Sequence, residues 1–455
     1  MYPFTMLPSR FNFNPNKIFP DEFLVMPKRH LIALIAASLL AGAACAAEDE
    51  CGDFNTHTIS GNWGGNRADL CNKGINFGFT HKSDVLSNMD GGTQRGTAWM
   101  GHTEARVNMD LDKLLGWEAT TAYIHFHSDL GNKFNRDYVG SFVGVDNIET
   151  SVNTAQFFHA WVQKGFADDS LTVLGGLYPV DSEFFVTETS GIFIQPPYGM
   201  ANDMAQGGRN GPPIFPVGAL AVRVKYTTPG KNFYLQGALT DGVPGDPQNP
   251  YGTHIKLDSG DGTLAVMEFG YIPQESPQHP ALAQEGKREE GEYFNKTAVG
   301  FWHYSYQMDD LSEVDALGNP LQRSSQGVYF LAERTLMIEQ NNASQGLSGF
   351  LRLGTASADV HQADWTGSLG LRYHGLLDGR DDDLAGIAVT YNHTSEKYKL
   401  LNNATDGQTN VELTYRAQVN NWFWLQPTLQ FIRSPNMDPA LNDATIIGCR
   451  AEVNF

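Results

Sequence analysis

The chain of 455 residues carries 51 acidic against 31 basic side chains, a formal net charge of −20. A field of that sign excludes nucleic acid as a partner and disfavours anionic substrates. With 41% hydrophobic residues and a single extended apolar run at 31–47, the sequence lacks the repeated stretches of about 20 apolar residues that a helical membrane protein needs.

That run reads as a secretory signal. Lys28, Arg29 and His30 supply the basic start, 31–40 the apolar stretch, and Ala44-Cys45-Ala46 a small-residue cleavage site. Residues 26–46 are therefore expected to be the signal peptide, and 1–25 an upstream extension mis-assigned to the start. Gly42 stands where a lipoprotein signal would have Leu, which argues against lipid on Cys45. Removing 1–46 takes away two acids and four bases, so the exported chain is more acidic still. Export also carries Cys51 and Cys71 into an oxidising compartment, where either a disulfide between them or two reduced thiols is open.

From Gly74 onward, segments that alternate apolar and polar residues recur between turn residues, and helical periodicity is scarce. The predicted strands are 75–88, 100–111, 117–129, 154–164, 170–178, 217–227, 232–240 and 263–272, then 296–306, 327–337, 346–356, 364–374, 385–393, 409–418, 422–432 and 445–455. Sixteen strands of about ten residues is an even count inside the range of single-chain outer-membrane barrels. Connections 228–231, 377–380 and 419–421 are short, whereas 134–153, 180–216, 241–262, 307–326 and 395–408 are long. Short turns at one end and long loops at the other suit a barrel in an asymmetric membrane. Two connections break the pattern: 274–295 is long where a short turn is due, and 357–363 is short where a loop is due. Trp117, Tyr178, Tyr226, Trp302, Tyr306, Trp365, Tyr373, Trp422 and Trp424 lie near strand ends, where a barrel carries its interfacial aromatics.

In the last segment, Ile447, Cys449, Ala451, Val453 and Phe455 share one face, and Gly448, Arg450, Glu452 and Asn454 the other. It resembles the terminal strand of bacterial outer-membrane barrels, whose final aromatic residue is an assembly signal. The fold expected is thus all-β: a transmembrane antiparallel β-barrel of about 16 strands over 75–455, preceded by a periplasmic segment at 47–74, in the bacterial outer membrane. Outer-membrane lipid and the barrel assembly machinery, the latter through Phe455, are the partners this implies.

A more specific resemblance begins at Ser60-Gly-Asn-Trp-Gly-Gly-Asn-Arg-Ala-Asp-Leu70. It is similar to the opening Trp-Gly-Gly-x-Arg-x-x-Leu motif of the carbohydrate-selective porins, the OprB family. Further pieces fit in order: Lys113-Leu-Leu-Gly-Trp117, Asn210-Gly-Pro-Pro-Ile-Phe-Pro216, Thr240-Asp-Gly-Val-Pro-Gly-Asp-Pro247, Gly379-Arg-Asp-Asp-Asp-Leu-Ala-Gly386, Val411-Glu-Leu-Thr-Tyr415 and Leu425-Gln-Pro-Thr-Leu-Gln430. The resemblance spans residues 60–455. It implies a sixteen-stranded porin for monosaccharides such as glucose, with small neutral sugars as its solutes.

A sugar channel needs no acid, base or nucleophile. It needs a wall of hydrogen-bonding groups and an aromatic face, binding weakly enough to release the solute. Alternation turns Glu104, Arg106, Asn108 and Asp110 of the second strand inward and Ala105, Val107, Met109 and Leu111 toward lipid. In the third strand Tyr123, His125 and His127 face inward. In the fourth, Phe157, His159, Trp161 and Gln163 do, with Phe158, Ala160 and Val162 outward. The loop 180–216 is expected to fold into the barrel as a constriction, with Phe184, Phe185, Phe193 and Tyr198 packing it on the wall. Its Gln195, Asn202, Asp203, Gln206, Arg209 and Asn210 would then face the solute. His125 and His127 share one side of a strand, but a metal site needs three or four ligands. No third is visible, so no metal or other cofactor is expected. The Ser and His residues offer no catalytic set, so no enzyme is expected. The readings left beside the sugar porin are a general or cation-preferring porin, a structural or adhesive barrel, and an outer-membrane enzyme.

Overall fold

A computed structural model describes residues 51–273, 294–339, 342 and 344–455, all within the compact unit Leu40–Phe455. The expected extension and signal at 1–46, and most of the long 274–295 connection, lie outside the described residues.

Sixteen strands form one closed barrel, in which each strand pairs antiparallel with the next and β16 with β1. They are β1 Ile75–Gly92, β2 Gly96–Asp110, β3 Thr120–Gly131, β4 Thr154–Phe166, β5 Leu171–Tyr178, β6 Ala219–Thr227, β7 Phe233–Asp241 and β8 Thr263–Tyr271. Then follow β9 Asn295–Val314, β10 Pro320–Ile338, β11 Gly346–Thr355, β12 Ala363–His374, β13 Leu384–Thr394, β14 Gly407–Asn420, β15 Phe423–Arg433 and β16 Asn442–Asn454.

The barrel is apolar outside and polar inside. On β15, Leu425, Leu429 and Phe431 are exposed while Gln426, Thr428 and Gln430 are buried. On β11 the same alternation exposes Leu351 and Leu353 and buries Arg352. Such an inversion fits a backbone that closes its own hydrogen bonds in lipid and keeps its polar side chains in the lumen.

The ends differ from expectation in instructive ways. The predicted loop 307–326 is mostly strand: β9 and β10 continue as a ladder, with Asp309 opposite Gln322 and Val314 opposite Pro320. Backbone pairing persists there although the apolar alternation has ceased, so the sequence signal stops early. Asp315 closes this hairpin by accepting the N–H groups of Leu317 (2.8 Å) and Asn319 (2.9 Å). At the other end of the barrel, the second strand stops at Asp110. Leu111, expected to face lipid, instead opens the short helix Leu111–Leu115 and is buried. Asp110 caps that helix through the N–H groups of Asp112 and Lys113 (3.0 and 3.2 Å).

The aromatic residues at strand ends divide. Trp117, Tyr226 and Trp365 are exposed on the outside, whereas Tyr178, Trp302 and Tyr306 are buried inside. The inner ones fill the lumen rather than a membrane interface. Glycines make room for two further inner rings. A Cβ at Gly270 would sit 2.1 Å from the Tyr234 ring, and one at Gly300 2.0 Å from that of Tyr329.

Residues 51–74 pack where β1 meets β16. Cys51 and Cys71 are joined, with S–S 2.15 Å and Cα–Cα 5.7 Å. Arg67 of the Trp-Gly-Gly-x-Arg motif donates to the carbonyls of Phe455 (3.1 Å) and Phe77 (2.9 Å) and to Thr58 Oγ1 (3.0 Å). The motif therefore clasps both strands of the closing seam. Deeper in that seam, Arg450 of β16 binds Asp84 of β1 through Nη2 at 2.6 Å. Cys449 is a free thiol on the opposite face of β16 from Arg450.

Candidate functional site

A loop placed inside a barrel brings backbone N–H and C=O groups away from water, and each needs a partner. The inward residues of the wall supply them. Glu268 on β8 accepts the N–H of Phe185 (2.9 Å), Glu333 on β10 that of Thr189 (2.9 Å), and Glu412 on β14 those of Ile194 and Gln195 (2.9 and 3.0 Å). Arg352 on β11 donates to the carbonyls of Phe185 and Tyr198 (both 2.6 Å), Pro197 (3.3 Å) and Gly199. Gln426 on β15 reaches the carbonyl of Ile192 at 2.6 Å. Phe184, Phe185, Phe193 and Tyr198 are all buried, as the expected packing of the loop requires.

The loop's polar side chains, expected to face the solute, are buried or bound to protein groups. Gln195 is buried and donates to Gln430 Oε1 (2.9 Å). Gln206 exchanges hydrogen bonds with the backbone of Ala363 (2.6 and 3.1 Å). Asn202 and Asp203 are buried. Burial without ionic contact pushes the Asp203 carboxyl up to about 8, with Arg352 opposing the rise. Arg209 and Asn210 are exposed and bind the neighbouring loop, Arg209 Nη1 to the Gly260 carbonyl and Asn210 Nδ2 to that of Pro244, each at 2.7 Å. Gln195, Gln206, Arg209 and Asn210 thus fasten the loop to its surroundings, using hydrogen-bonding groups that a solute would otherwise meet.

The wall of β2, β3 and β4 is where most of the remaining expected residues converge. Glu104 is buried and holds Arg106 (2.5 Å), Lys82 (3.3 Å) and His125 Nε2 (3.1 Å). His125 stacks on His159, with ring centroids 5.4 Å apart and planes at 14°. Trp161 Nε1–H donates to His159 Nδ1 (3.3 Å), and its ring lies 5.4 Å from that of Tyr123. Register explains the grouping, since Arg106 pairs with His125, His125 with His159, and Tyr123 with Trp161.

Two side-chain directions on this wall are reversed. Phe157, expected inward, is 46% exposed on the outside, and Phe158, expected outward, is 7% exposed and packs on His125 and His127. The β3–β4 ladder passes from His125–His159 to Phe126–Phe157, so Phe158 is a bulge residue. An extra residue restores the opposite facing beyond it, and His159, Trp161 and Gln163 keep their inward places.

Asn108 lies beside Tyr123 in the ladder. Asp110 is occupied as a helix cap at the barrel end, away from the His–Trp cluster. Gln163 accepts from Arg223 Nη2 (2.5 Å), which leads to a polar group that the sequence reading did not assign. Arg223 Nε donates to Glu183 (2.7 Å), to which Tyr178 also donates (2.7 Å). Glu183, Lys225, Tyr234, Gln236 and Lys296 line a cavity of about 300 Å³. The signal for Arg223 and Lys225 was present: they share the inward parity of Ala221 on β6.

The site therefore offers a guanidinium, imidazoles, an indole and amides, held by carboxylates. That set is suited to hydroxyl groups and to the apolar face of a ring.

The comparisons with known proteins agree with this architecture. Residues 94–455 match the sequence profile of the family described as carbohydrate-selective porin, OprB family. Porin B of Pseudomonas aeruginosa is 25% identical over 458 residues, covering 93% of this chain and 96% of that protein. A putative porin, QuiX, of Acinetobacter baylyi is 23% identical, covering 93% of this chain and 99% of its own. The high-pH structure of Pseudomonas putida OprB superimposes with a TM-score of 0.77 at 22% identity, covering 88% of this chain and 99% of that one.

Proposed function

The chain belongs to the OprB family of carbohydrate-selective porins, and on that premise we propose that it passes neutral monosaccharides such as glucose by facilitated, passive diffusion. As a porin of this family it resides in the outer membrane. The family and the fold are those of channels. The observation that carries the finer reading is the β2–β4 wall, where Arg106 of β2 keeps 14% of its side chain exposed and Trp161, two strands along on β4, is partly exposed. A cationic fork and an indole face answer the hydroxyls and the C–H side of a pyranose. The loop 180–216 acts as the constriction that brings a sugar within reach of them.

Glu104, Arg106, Asn108, His125, His159, Trp161 and Gln163 are the residues proposed to line the path. Asp110, Arg209 and Asn210 support it, from a helix cap and from contacts between loops. The apolar outer face meets outer-membrane lipid, and the strand ending at Phe455 carries the signal for the barrel assembly machinery. Residues 26–46 direct export.

The test is a planar bilayer holding the purified channel, with glucose added and current recorded. Saturable block by sugar supports the reading. An ohmic, cation-preferring current indifferent to sugar favours the general porin that the acidic balance allows. Binding to surfaces without any conductance would favour an adhesive barrel.

A further inference from the structure

One cluster on the same wall takes no part in the sugar reading. His102 of β2 and His127 and Asp129 of β3 face inward and are buried. His102 Nδ1 stands 2.6 Å from Asp129 Oδ1, and His127 Nδ1 stands 2.6 Å from Asp129 Oδ2. The potential ligand atoms all lie within 4.8 Å of one another.

The proton count is what sets this cluster apart. His127 Nε2 lies 3.0 Å from the carbonyl oxygen of Pro216, which only accepts, so Nε2 carries the hydrogen. A neutral His127 then turns the bare lone pair of Nδ1 toward a carboxylate oxygen. Apart from each other, neither His127 Nδ1 nor Asp129 Oδ2 has a hydrogen-bond partner, and both atoms are buried. A buried carboxylate also requires opposite charge. Lys82 and Arg106 give theirs to Glu104, and the ion-pair partners of Asp129 among the described residues are the two imidazoles. A second acidic group, Asp310, Glu313 and Asp359, closes on the ammonium of Lys397 at 2.7, 3.0 and 2.6 Å and needs no further cation.

We propose that His102, His127 and Asp129 form a binding site for a divalent transition-metal ion of the zinc type, seated beside the exit of the 180–216 loop. Two imidazole nitrogens and one carboxylate are a ligand set that zinc accepts with a fourth position open. Its bonds of about 2.0–2.2 Å place tetrahedral ligand atoms about 3.3 Å apart, so an imidazole nitrogen now 2.6 Å from the carboxylate withdraws by about 0.7 Å. The outer shell already has the form such sites use, in which the second ring nitrogen is held by a carbonyl or carboxylate. Pro216 holds that of His127, and Glu104 Oε2 lies 3.7 Å from that of His102. The Phe215 ring covers both imidazoles at 5.4 Å, and Phe158 packs on His127 at 5.6 Å. The site is dry, and the ion exchanges slowly. Because Pro216 orients His127, occupancy by the ion ties the end of the loop to the β2–β3 wall.

The full-length purified channel, stripped by chelator and dialysed against Co²⁺ or Zn²⁺, tests this. Elemental analysis is expected to give about one ion per chain, and Co²⁺ to show the visible absorption of a four- or five-coordinate nitrogen–oxygen site. His127→Gln and Asp129→Asn should each lower uptake to background while migrating as heat-modifiable, folded barrels. Uptake by the parent below about a tenth of an ion per chain overturns the site. Uptake unchanged in both variants does so as well. Should the variants fail to fold, the Co²⁺ spectrum of the parent and its displacement by Zn²⁺ decide alone. An NMR spectrum showing His127 as an imidazolium in the metal-treated parent overturns the proposal in favour of simple protonation. Sugar block of the current is read separately, so failure of the metal site and failure of the sugar reading are distinguishable.

Discussion

Glu104 and Arg106, two residues apart on one face of β2, grip each other edge to edge: Arg106 Nη2 is 2.5 Å from Oε1 and Nε donates to Oε2 at 3.2 Å. Both contacts use one edge of the guanidinium. Nη1 is left on the opposite edge, fixed in direction by the carboxylate beneath, which is how a flexible side chain becomes a positioned donor.

Replacing Arg106 by Ala should therefore weaken glucose block several-fold and raise cation selectivity together, since Glu104 loses one of its two cationic partners. Paired measurements of sugar block and reversal potential check this. If both are unchanged, Arg106 is not on the path.

Trp161 gives its N–H to His159 and so presents its ring rather than its edge. Loss of an aromatic contact costs on the order of 1 kcal/mol. Trp161→Ala is expected to weaken block by several-fold while the channel stays open. A parental affinity for sugar in this variant would move the stacking face elsewhere.

Arg352 holds the loop by the carbonyls of Phe185, Tyr198, Pro197 and Gly199, and its guanidinium lies 4.4 Å over the Phe185 ring. Arg352→Met leaves those carbonyls without their donor, at about 1–3 kcal/mol for each that stays buried. Glu268, Glu333 and Glu412 still bind the loop, so the barrel should fold. Single-channel recordings should show a larger and noisier conductance with poorer discrimination between sugars of different size. A parental conductance would mean that the loop does not depend on Arg352.

Asp203 supplies a pH dependence. Its carboxyl is raised from 3.8 to about 8 by burial. Between those values the folded form keeps a proton that the unfolded chain has lost, so this group's contribution to stability falls as pH rises toward 8 and levels off above it. Asp203→Asn removes the titration. The difference in thermal stability between the variant and the parent should therefore grow in the variant's favour from pH 5 to pH 8, as melting curves across that range would show. A constant difference would mean that Asp203 does not titrate in this window.

For Cys51 and Cys71, peptide mapping without reductant should recover the two peptides joined. Alkylation of both thiols in unreduced protein would contradict the bridge. Closing a loop of about 20 residues stabilises by about 3 kcal/mol in the chain-entropy account. Cys71→Ser should thus loosen residues 51–74 toward protease while the strands stay protected, because the barrel pairs independently of that segment.

The period of two is a local property, which is why all sixteen strands and the facing of β2, β3 and most of β4 were legible in the residues themselves. It is also why the reading failed where the local pattern carries no apolar signal. The polar ladder beyond Tyr306 looked like a loop, and the single extra residue at Phe158 was invisible until β3 and β4 were set side by side. Arg223 and Lys225 were readable by parity, and only their partners were not.

What the sequence by itself determined is the alternation, and with it an apolar outside, a polar inside and the closed sheet that lipid demands. Partnership among the inward residues was decided by the tertiary structure alone. Glu412 meets Ile194 across 218 positions, Arg450 meets Asp84 across 366, and His127 meets Pro216 across 89. These contacts depend on register between strands and on a loop folded back into the lumen, and both are set by pairings far apart in the chain. The polar side chains of the 180–216 loop illustrate the reason: composition marks them as hydrogen-bonding groups, but only the wall they reach decides whether they are left for a solute.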